Sequence, residues 1–494
     1  MSMPQAAGPE AGLDPRRWVA LAILLLASFM NLIDVTIVNV ALPSLQRSLG
    51  ASSAQIEWVV AAYVLAFALA LLPFGRLGDI VGRRRMFLLG VTGFTLASAL
   101  CGLAPSIEML IAARVLQGLA SAMMTPQVLA IVQVIFPPRE RGQAFSFFGL
   151  TAGLASVAGP IAGGALIHLD LGGLDWRPIF LVNIPIGILA VVAGQRLITR
   201  MPGHASLSND FGGIALFGAA ILLLVFPLIE GRAYGWPLWA FAMIAAALLV
   251  GLGFYLWEKR RDRRGLPELL PVSLIENKNF VLGTLMTMVF FSGIPGLFFV
   301  LALFLQSGFG LTPLESGLTT LPFPLGVLLA SAVNRRLGSR FLPQRLAGGA
   351  LVLALGMLIL KLVVGSVGDT LDHWIFVPPL LIAGFGMGNA ISALFQTILS
   401  GVPPRDAGAG SGALQAFQQV GGALGVALVG EIFFGTLGAT MGAGDAHAAY
   451  RAAGGNAMVY EIAAFLAVAA LVPFLKPLPR SQGGAPAAPV VAEA

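Results

Sequence analysis

The chain is dominated by long apolar stretches that carry no charge. Phe211 to Ile229 and Pro237 to Trp257 each run their whole length without one charged residue. Crossing the hydrocarbon core of a bilayer takes about 20 mostly apolar residues. In that solvent every backbone N–H and C=O must be satisfied within the segment, which makes such stretches helices. Stretches of this kind begin near Trp18, Ile56, Met86, Ile107, Ala144, Trp176, Phe211, Pro237, Phe280, Leu314, Leu346, Trp374, Gly408 and Val459. The expectation is an all-α integral membrane protein with fourteen transmembrane helices. Charged residues make up only 11% of the 494 residues, against about 25% in soluble domains.

Charge placement tests this map. With the N-terminus cytoplasmic, 23 of the 29 Lys and Arg residues fall in cytoplasmic segments and five in outer loops, leaving Arg114 within the bilayer. Cytoplasmic loops carry such an excess, so both termini are expected to be cytoplasmic. The net charge of +6 is thereby membrane topology, and nucleic acid is not expected as a partner. All seven tryptophans, among them Trp18, Trp58, Trp176 and Trp374, lie near expected helix ends, where amphipathic rings favour the headgroup region. Met1 to Asp14 is polar and lacks the order of a cleaved signal. Cys101 is the sole cysteine, and His168, His204, His373 and His447 form no metal-ligand spacing; neither a metal nor a disulfide is expected.

The chain reads as duplicated. The second loop, GRLGDIVGRRR (Gly75 to Arg85), has a degraded counterpart in NRRLGSR (Asn334 to Arg340), eight helices on. Helix five carries GLASVAGPIAGG (Gly153 to Gly164), and the glycine-rich helix thirteen matches it at the same offset. This divides the chain into a cytoplasmic segment (1–17), a six-helix bundle (18–200), an inserted helix pair with linkers (201–265), a second bundle (266–480) and a disordered cytoplasmic tail (481–494). Parallel repeats about an axis along the membrane normal are a transporter architecture.

These residues carry a family resemblance. LIDVTIVNVALP (Leu32 to Pro43), GRLGDIVGRRR, RVLQGLASA (Arg114 to Ala122) and the Gly-Pro stretch of helix five resemble the major facilitator superfamily, and within it the fourteen-helix drug:proton antiporters. The resemblance runs from about Trp18 to Pro477. It implies the major facilitator fold, alternating access, and proton-coupled export of small amphipathic molecules across the bacterial cytoplasmic (inner) membrane. Membrane lipid, the substrate and protons are the expected partners, and one chain suffices for transport.

Asp34 stands in an apolar helix about nine residues, roughly 13 Å, from its outer end. A charge there costs at least about 2.5 kcal/mol, and intramembrane acids mark function by default. Arg114 lies roughly 10 Å into helix four from the same side. The two are expected to approach, so that a change in their separation loads or releases a proton; a static pair that only packs helices is the plainer alternative. The resemblance assigns coupling to both. In the loop, Gly75, Gly78 and Gly82 permit tight turns, and Asp79, Arg83 and Arg84 form a charge cluster. Positive-inside topology explains part of the basic run, and the resemblance makes the loop a cytoplasmic gate. Gly153, Gly159, Pro160, Gly163 and Gly164 suit close helix packing, and the resemblance links them to export. Tyr63, Gln117, Phe290, Gln306, Asn389, Gln396 and Gln418 are candidate cavity residues, each also explicable by packing. No midplane acid is expected in the second half, with Glu431 and Glu461 nearer the outer ends and Glu57 interfacial.

GFGMG (Gly384 to Gly388) and GAGSG (Gly408 to Gly412) look like nucleotide-loop fragments, but neither follows a soluble strand and no GxxxxGK[ST] occurs. No cofactor is expected; the membrane gradient supplies about 2.3 kcal/mol per charge per 100 mV. An enzyme would need a catalytic constellation, which the helices lack. Proton-linked import is the alternative transport reading, and a transporter-derived receptor the alternative in another class.

Overall fold

In the computed structural model of the protein, residues 16–202, 210–337, 341–368, 370–402, 407–441 and 445–475 are described. The expected tail, most of the N-terminal segment and residues 338–340 of NRRLGSR lie outside them. Among the described residues there is no strand, and the architecture is all helical. Among the described residues, thirteen helices are long and apolar enough to cross a membrane. In chain order they are α1 (Arg17–Leu49), α2 (Ser53–Val81), α3 (Arg83–Gly102), α4 (Ile107–Ile135), α6 (Pro178–Leu197), α7 (Phe211–Glu230), α8 (Leu238–Asp262), α9 (Lys278–Gly308), α10 (Pro313–Asn334), α11 (Leu342–Ser366), α12 (His373–Leu399), α13 (Ala409–Thr440) and α14 (Ala446–Phe474). The remaining long helix, α5 (Pro138–His168), corresponds to the expected fifth span. Its apolar part, Gly153–His168, is shorter than the roughly 20 residues a span needs.

Local chemistry sets many of the helix ends. Ser52 and Gln55 cap α2 reciprocally, as Thr312 and Glu315 cap α10, each pair satisfying two otherwise orphaned backbone donors. Gly50 ends α1 in the left-handed conformation that glycine takes without strain. The last turn of α9, Leu303–Gly308, is π-helical.

Packing follows the repeat. Helix α1 packs on α5, α2 on α4, and α3 on α4 and α6; eight helices on, α9 packs on α13, α10 on α12, and α11 on α12 and α14. The two halves meet where α2 lies on α13 and α5 on α10. Between them, α7 and α8 pack on each other, and α7 also touches α2 and α13. Exposed Leu248, Leu249, Leu252 and Leu256 give α8 an apolar face, as a helix in contact with lipid requires.

Two expectations are corrected here. Helix α14 begins at Ala446, thirteen residues before Val459, because small residues between them dilute the hydropathy without breaking the helix. Glu461 is therefore mid-helix and 1% exposed, not near an outer end. Trp176 does lie at a helix end, two residues before α6, but it is fully buried there, edge-on to Phe180 with the Arg177 guanidinium over its ring, unlike the exposed Trp374. The GFGMG glycines are packing residues, as expected: a Cβ on Gly384 would overlap the Phe323 carbonyl of α10, and one on Gly386 the backbone of Leu353 in α11.

Candidate functional site

Five helices converge on Asp34, which is wholly buried. Its Oδ2 accepts from Arg114 Nη1 at 2.6 Å. Its Oδ1 accepts from Gln117 Nε2 at 2.7 Å and from Asn183 Nδ2 at 3.3 Å. Arg114, 1% exposed, also donates to the Val59 carbonyl and to Gln117 Oε1, and its guanidinium lies 4.2 Å from the Tyr63 ring centre. Ser98 of α3 receives both Gln117 and Asn183. One turn away, Asn31 donates to Tyr63 and Ser121. The pair is thus a buried centre held by α1, α2, α3, α4 and α6. Removing one member would strand a buried charge, at about 3–5 kcal/mol, whereas neutralising Asp34 with a proton cancels the attraction that holds Arg114.

Arg114, Gln117 and Ser121 recur at three- and four-residue spacing, one face of α4, and this pattern was available to mark Gln117 and Ser121 as members of the network. Ser98 and Asn183 carry no such signal, because only the packing of α3 and α6 brings them to the acid.

Of the loop motif only Gly82 stands between helices: Gly75, Gly78 and Asp79 belong to the last turns of α2 rather than to the tight turns expected of the glycines, and Arg83 and Arg84 open α3. Gly82 has φ +101°, open only to glycine, and a Cβ on Gly78 would overlap the Gln127 side chain. Asp79 pairs with Arg83 at 2.9 Å, and Arg83 donates to the Ala130 carbonyl of α4. Arg84 donates to the Gln195 carbonyl of α6, and Arg76 to the Glu268 carbonyl beyond α8. A cavity of about 480 Å³ opens beside the motif. Its walls are Gly75, Asp79 and Gln127 from the first half, Ser411, Gly412 and Gln415 from α13, and Asp210 and Glu268 flanking the inserted pair.

The helix-five motif forms a seam. A Cβ on Gly159 would meet Thr36 of α1, and one on Gly163 would meet Ile37. On its other side, Gly164 abuts the Leu314 backbone, Gly153 abuts Leu328, and the Pro160 carbonyl meets Gly317. Helix α5 therefore lies tightly between its own half and the other.

The cavity candidates scatter. Tyr63 and Gln117 belong to the Asp34 network. Phe290 is fully buried against Phe291 and Phe465. Gln306 donates to the Val40 carbonyl of α1, joining the halves. Asn389 bonds back to the Phe385 carbonyl, Gln396 is exposed and donates to Ser392, and Gln418 is partly buried on α13. None of the seven is among the residues that line the cavity beside the motif.

At the opposite end, the α7–α8 connection bridges both halves. Arg232 pairs with Glu57 of α2 at 3.2 Å and with Glu431 of α13 at 3.1 Å. Trp58 donates to Glu230, and Trp236 to Glu431. Glu57, expected to be interfacial, is 1% exposed and lies against Gly430, where a Cβ would overlap its carboxyl.

A family profile described as Major Facilitator Superfamily matches residues 24–426. The chain is 44% identical over 437 residues to a probable actinorhodin transporter of Streptomyces coelicolor, covering 87% of this chain and 75% of that protein. It is 35% identical to the tetracenomycin C resistance and export protein of Streptomyces glaucescens (87% and 78% covered) and 36% identical to a puromycin resistance protein of Streptomyces alboniger (86% and 83%). Among solved structures, a bacterial homologue of the lysosomal transporter Spinster in an inward-facing conformation matches with a TM-score of 0.61 at 18% identity, covering 94% of this chain and 98% of that one. A POT family transporter matches at 0.66 and 14% identity, covering 92% and 96%. The two structural likenesses concern the fold, and these three relatives are named for transport, export and resistance.

Proposed function

The chain belongs to the Major Facilitator Superfamily and is a multi-pass efflux transporter of the bacterial cytoplasmic membrane, and we propose that it is a proton-coupled antiporter exporting small amphipathic molecules. The observation that carries this reading is the Asp34–Arg114 pair, buried at 2.6 Å in the centre of the first half. A proton on Asp34 removes the charge that holds Arg114; its loss restores the pair. Each state of the pair favours a different arrangement of the surrounding helices, and that difference couples proton movement to access. The loop-motif end is the cytoplasmic one, so the cavity there receives substrate from inside while the Arg232 bridge closes the outer end. The halves at 18–200 and 266–480 rock about this centre, and no cofactor takes part.

The test uses everted membrane vesicles with actinorhodin, tetracenomycin C and puromycin as probes, normalised to the protein present in the membrane. Wild type accumulates at least one of the three when a proton gradient is imposed. Asp34→Asn loses that accumulation yet still exchanges internal for external substrate without a gradient, and Asp34→Glu restores part of it. Gradient-driven accumulation by Asp34→Asn equal to wild type would remove Asp34 from coupling.

A further inference from the structure

The second half also holds a buried acid. Glu461 lies fifteen residues along α14 from Ala446, roughly 22 Å at 1.5 Å per residue. Asp34 lies fifteen residues before Leu49, so each acid stands well inside its helix rather than near an end. On α14, Ala457, Met458, Glu461, Ala464, Phe465 and Val468 are buried, which places Glu461 on the face turned to its own bundle. It is 1% exposed, and neither of its carboxyl oxygens has a hydrogen-bond partner among the described residues. Its neighbour Tyr460 is bonded to Ser292 of α9 instead.

Ionisable groups on the helices around α14 are few. They are Lys278 on α9, Arg345 and Lys361 on α11, and Glu431 on α13; α14 itself adds His447, Tyr450, Arg451 and Tyr460. Lys278 and Arg345 stand in the first turns of their helices, and Arg451 is bonded to the Val367 carbonyl and Asp445. A carboxylate stripped of water and left without donors or a cation costs several kcal/mol, whereas a neutral carboxylic acid costs far less. In this conformation Glu461 therefore carries its proton. Packing alone does not call for an acid here, since an apolar side chain of similar size fills such a site without penalty.

We propose that Glu461 is a second proton-carrying carboxyl of the transport cycle, housed in the second half as Asp34 is in the first. The inference rests on the proton-driven reading above. The element able to uncover it is α9, which meets this turn of α14 with Ser292 and Gly293 and turns Pro295 and Gly296 to α13. Gly293 lies against Phe465, one turn from Glu461, and Gly296 lies against Val429. Pro295 removes one helical hydrogen bond at that point, so α9 bends there more readily than elsewhere. Bending opens the acid to the space between the halves, where it gives up its proton; closure returns it to a site that accepts only the neutral form.

Two measurements on the full-length protein in liposomes decide the matter. In the first, infrared spectra are taken as the pH rises from about 6 to about 9. The wild-type minus E461Q difference spectrum carries the carbonyl stretch of a protonated carboxylic acid that fades as the pH rises. Asp34→Asn retains this band, E461L lacks it, and Glu258, a buried acid beside Asp210, cancels in the difference. The apolar variant guards against an amide that folds poorly. A difference spectrum without such a band, or one whose band persists to the top of the range, overturns the proposal. In the second, whichever of the three probe compounds wild type accumulates is driven by a fixed pH difference. Loss of one carried proton lowers the accumulation ratio of E461Q about tenfold per unit of pH difference; an unchanged ratio makes Glu461 a static acid. Normal accumulation by Asp34→Asn would sink the earlier assignment while leaving the Glu461 band to be read on its own.

Discussion

Replacing Arg114 with Leu should strand Asp34, and replacing Asp34 with Asn should strand Arg114, each against a surface that is at most 1% exposed. Each single change should cost about 3–5 kcal/mol, because a buried charge loses its partner. The amide partners are a much smaller matter. Hydrogen bonds between membrane helices average about 0.6 kcal/mol, so Gln117→Leu and Asn183→Leu should each cost about that much, although their bonds of 2.7 and 3.3 Å reach the same carboxyl. The double variant Asp34→Asn/Arg114→Leu removes both charges and should be about 3 kcal/mol more stable than the sum of the singles implies. Denaturant titration in mixed micelles, on all four members of the cycle, measures this coupling. Additive single effects would mean that the guanidinium and the carboxylate do not depend on each other, and the switching role given to the pair would fall with that result.

Arg232→Gln should leave Glu57 and Glu431 facing each other without their shared cation; labelling of a Val40→Cys reporter by an impermeant maleimide from outside should speed up about tenfold, or about 1.4 kcal/mol, and an unchanged rate would deny the bridge any part in closing that end. Gly164→Ala should impair transport, because its Cβ would sit 2.5 Å from the Leu314 Cα, whereas Gly75→Ala should be tolerated, its nearest neighbour being Pro126 at 3.6 Å; efflux assays that rank the two the other way would refute a purely steric account. Phe290→Ala should cost about 3 kcal/mol in stability and leave the range of exported compounds unchanged, while an altered range would return Phe290 to the substrate path.

Spans such as α7 and α8 were legible because hydropathy without charge is their whole requirement in lipid. The same signal misled at α14, where alanine and glycine between Ala446 and Val459 are weakly apolar yet sustain a helix, and the error moved Glu461 from mid-helix to a helix end. Asp34 and Arg114 were legible as charges placed where charges are costly. Their geometry was foreshadowed by the shared depth and the four-residue face of α4. Asn183 and Ser98 were not legible, since neither amide nor hydroxyl is unusual in a membrane helix and only tertiary packing brings them to Asp34. Polar residues chosen merely for lying within spans proved to be a heterogeneous set. Gln306 ties α9 to α1, Asn389 bonds to its own helix, and the cavity walls come instead from the loop motif, α13 and the linkers of the inserted pair.

The bridge at Arg232 bears on how the inserted pair is to be regarded. Both halves bring an acid to their common seam, and the cation between them is lent by a third piece of chain. Excising α7 and α8 would therefore not yield a trimmed but workable twelve-helix molecule, since Glu57 and Glu431 would be left at the join without the cation that links them.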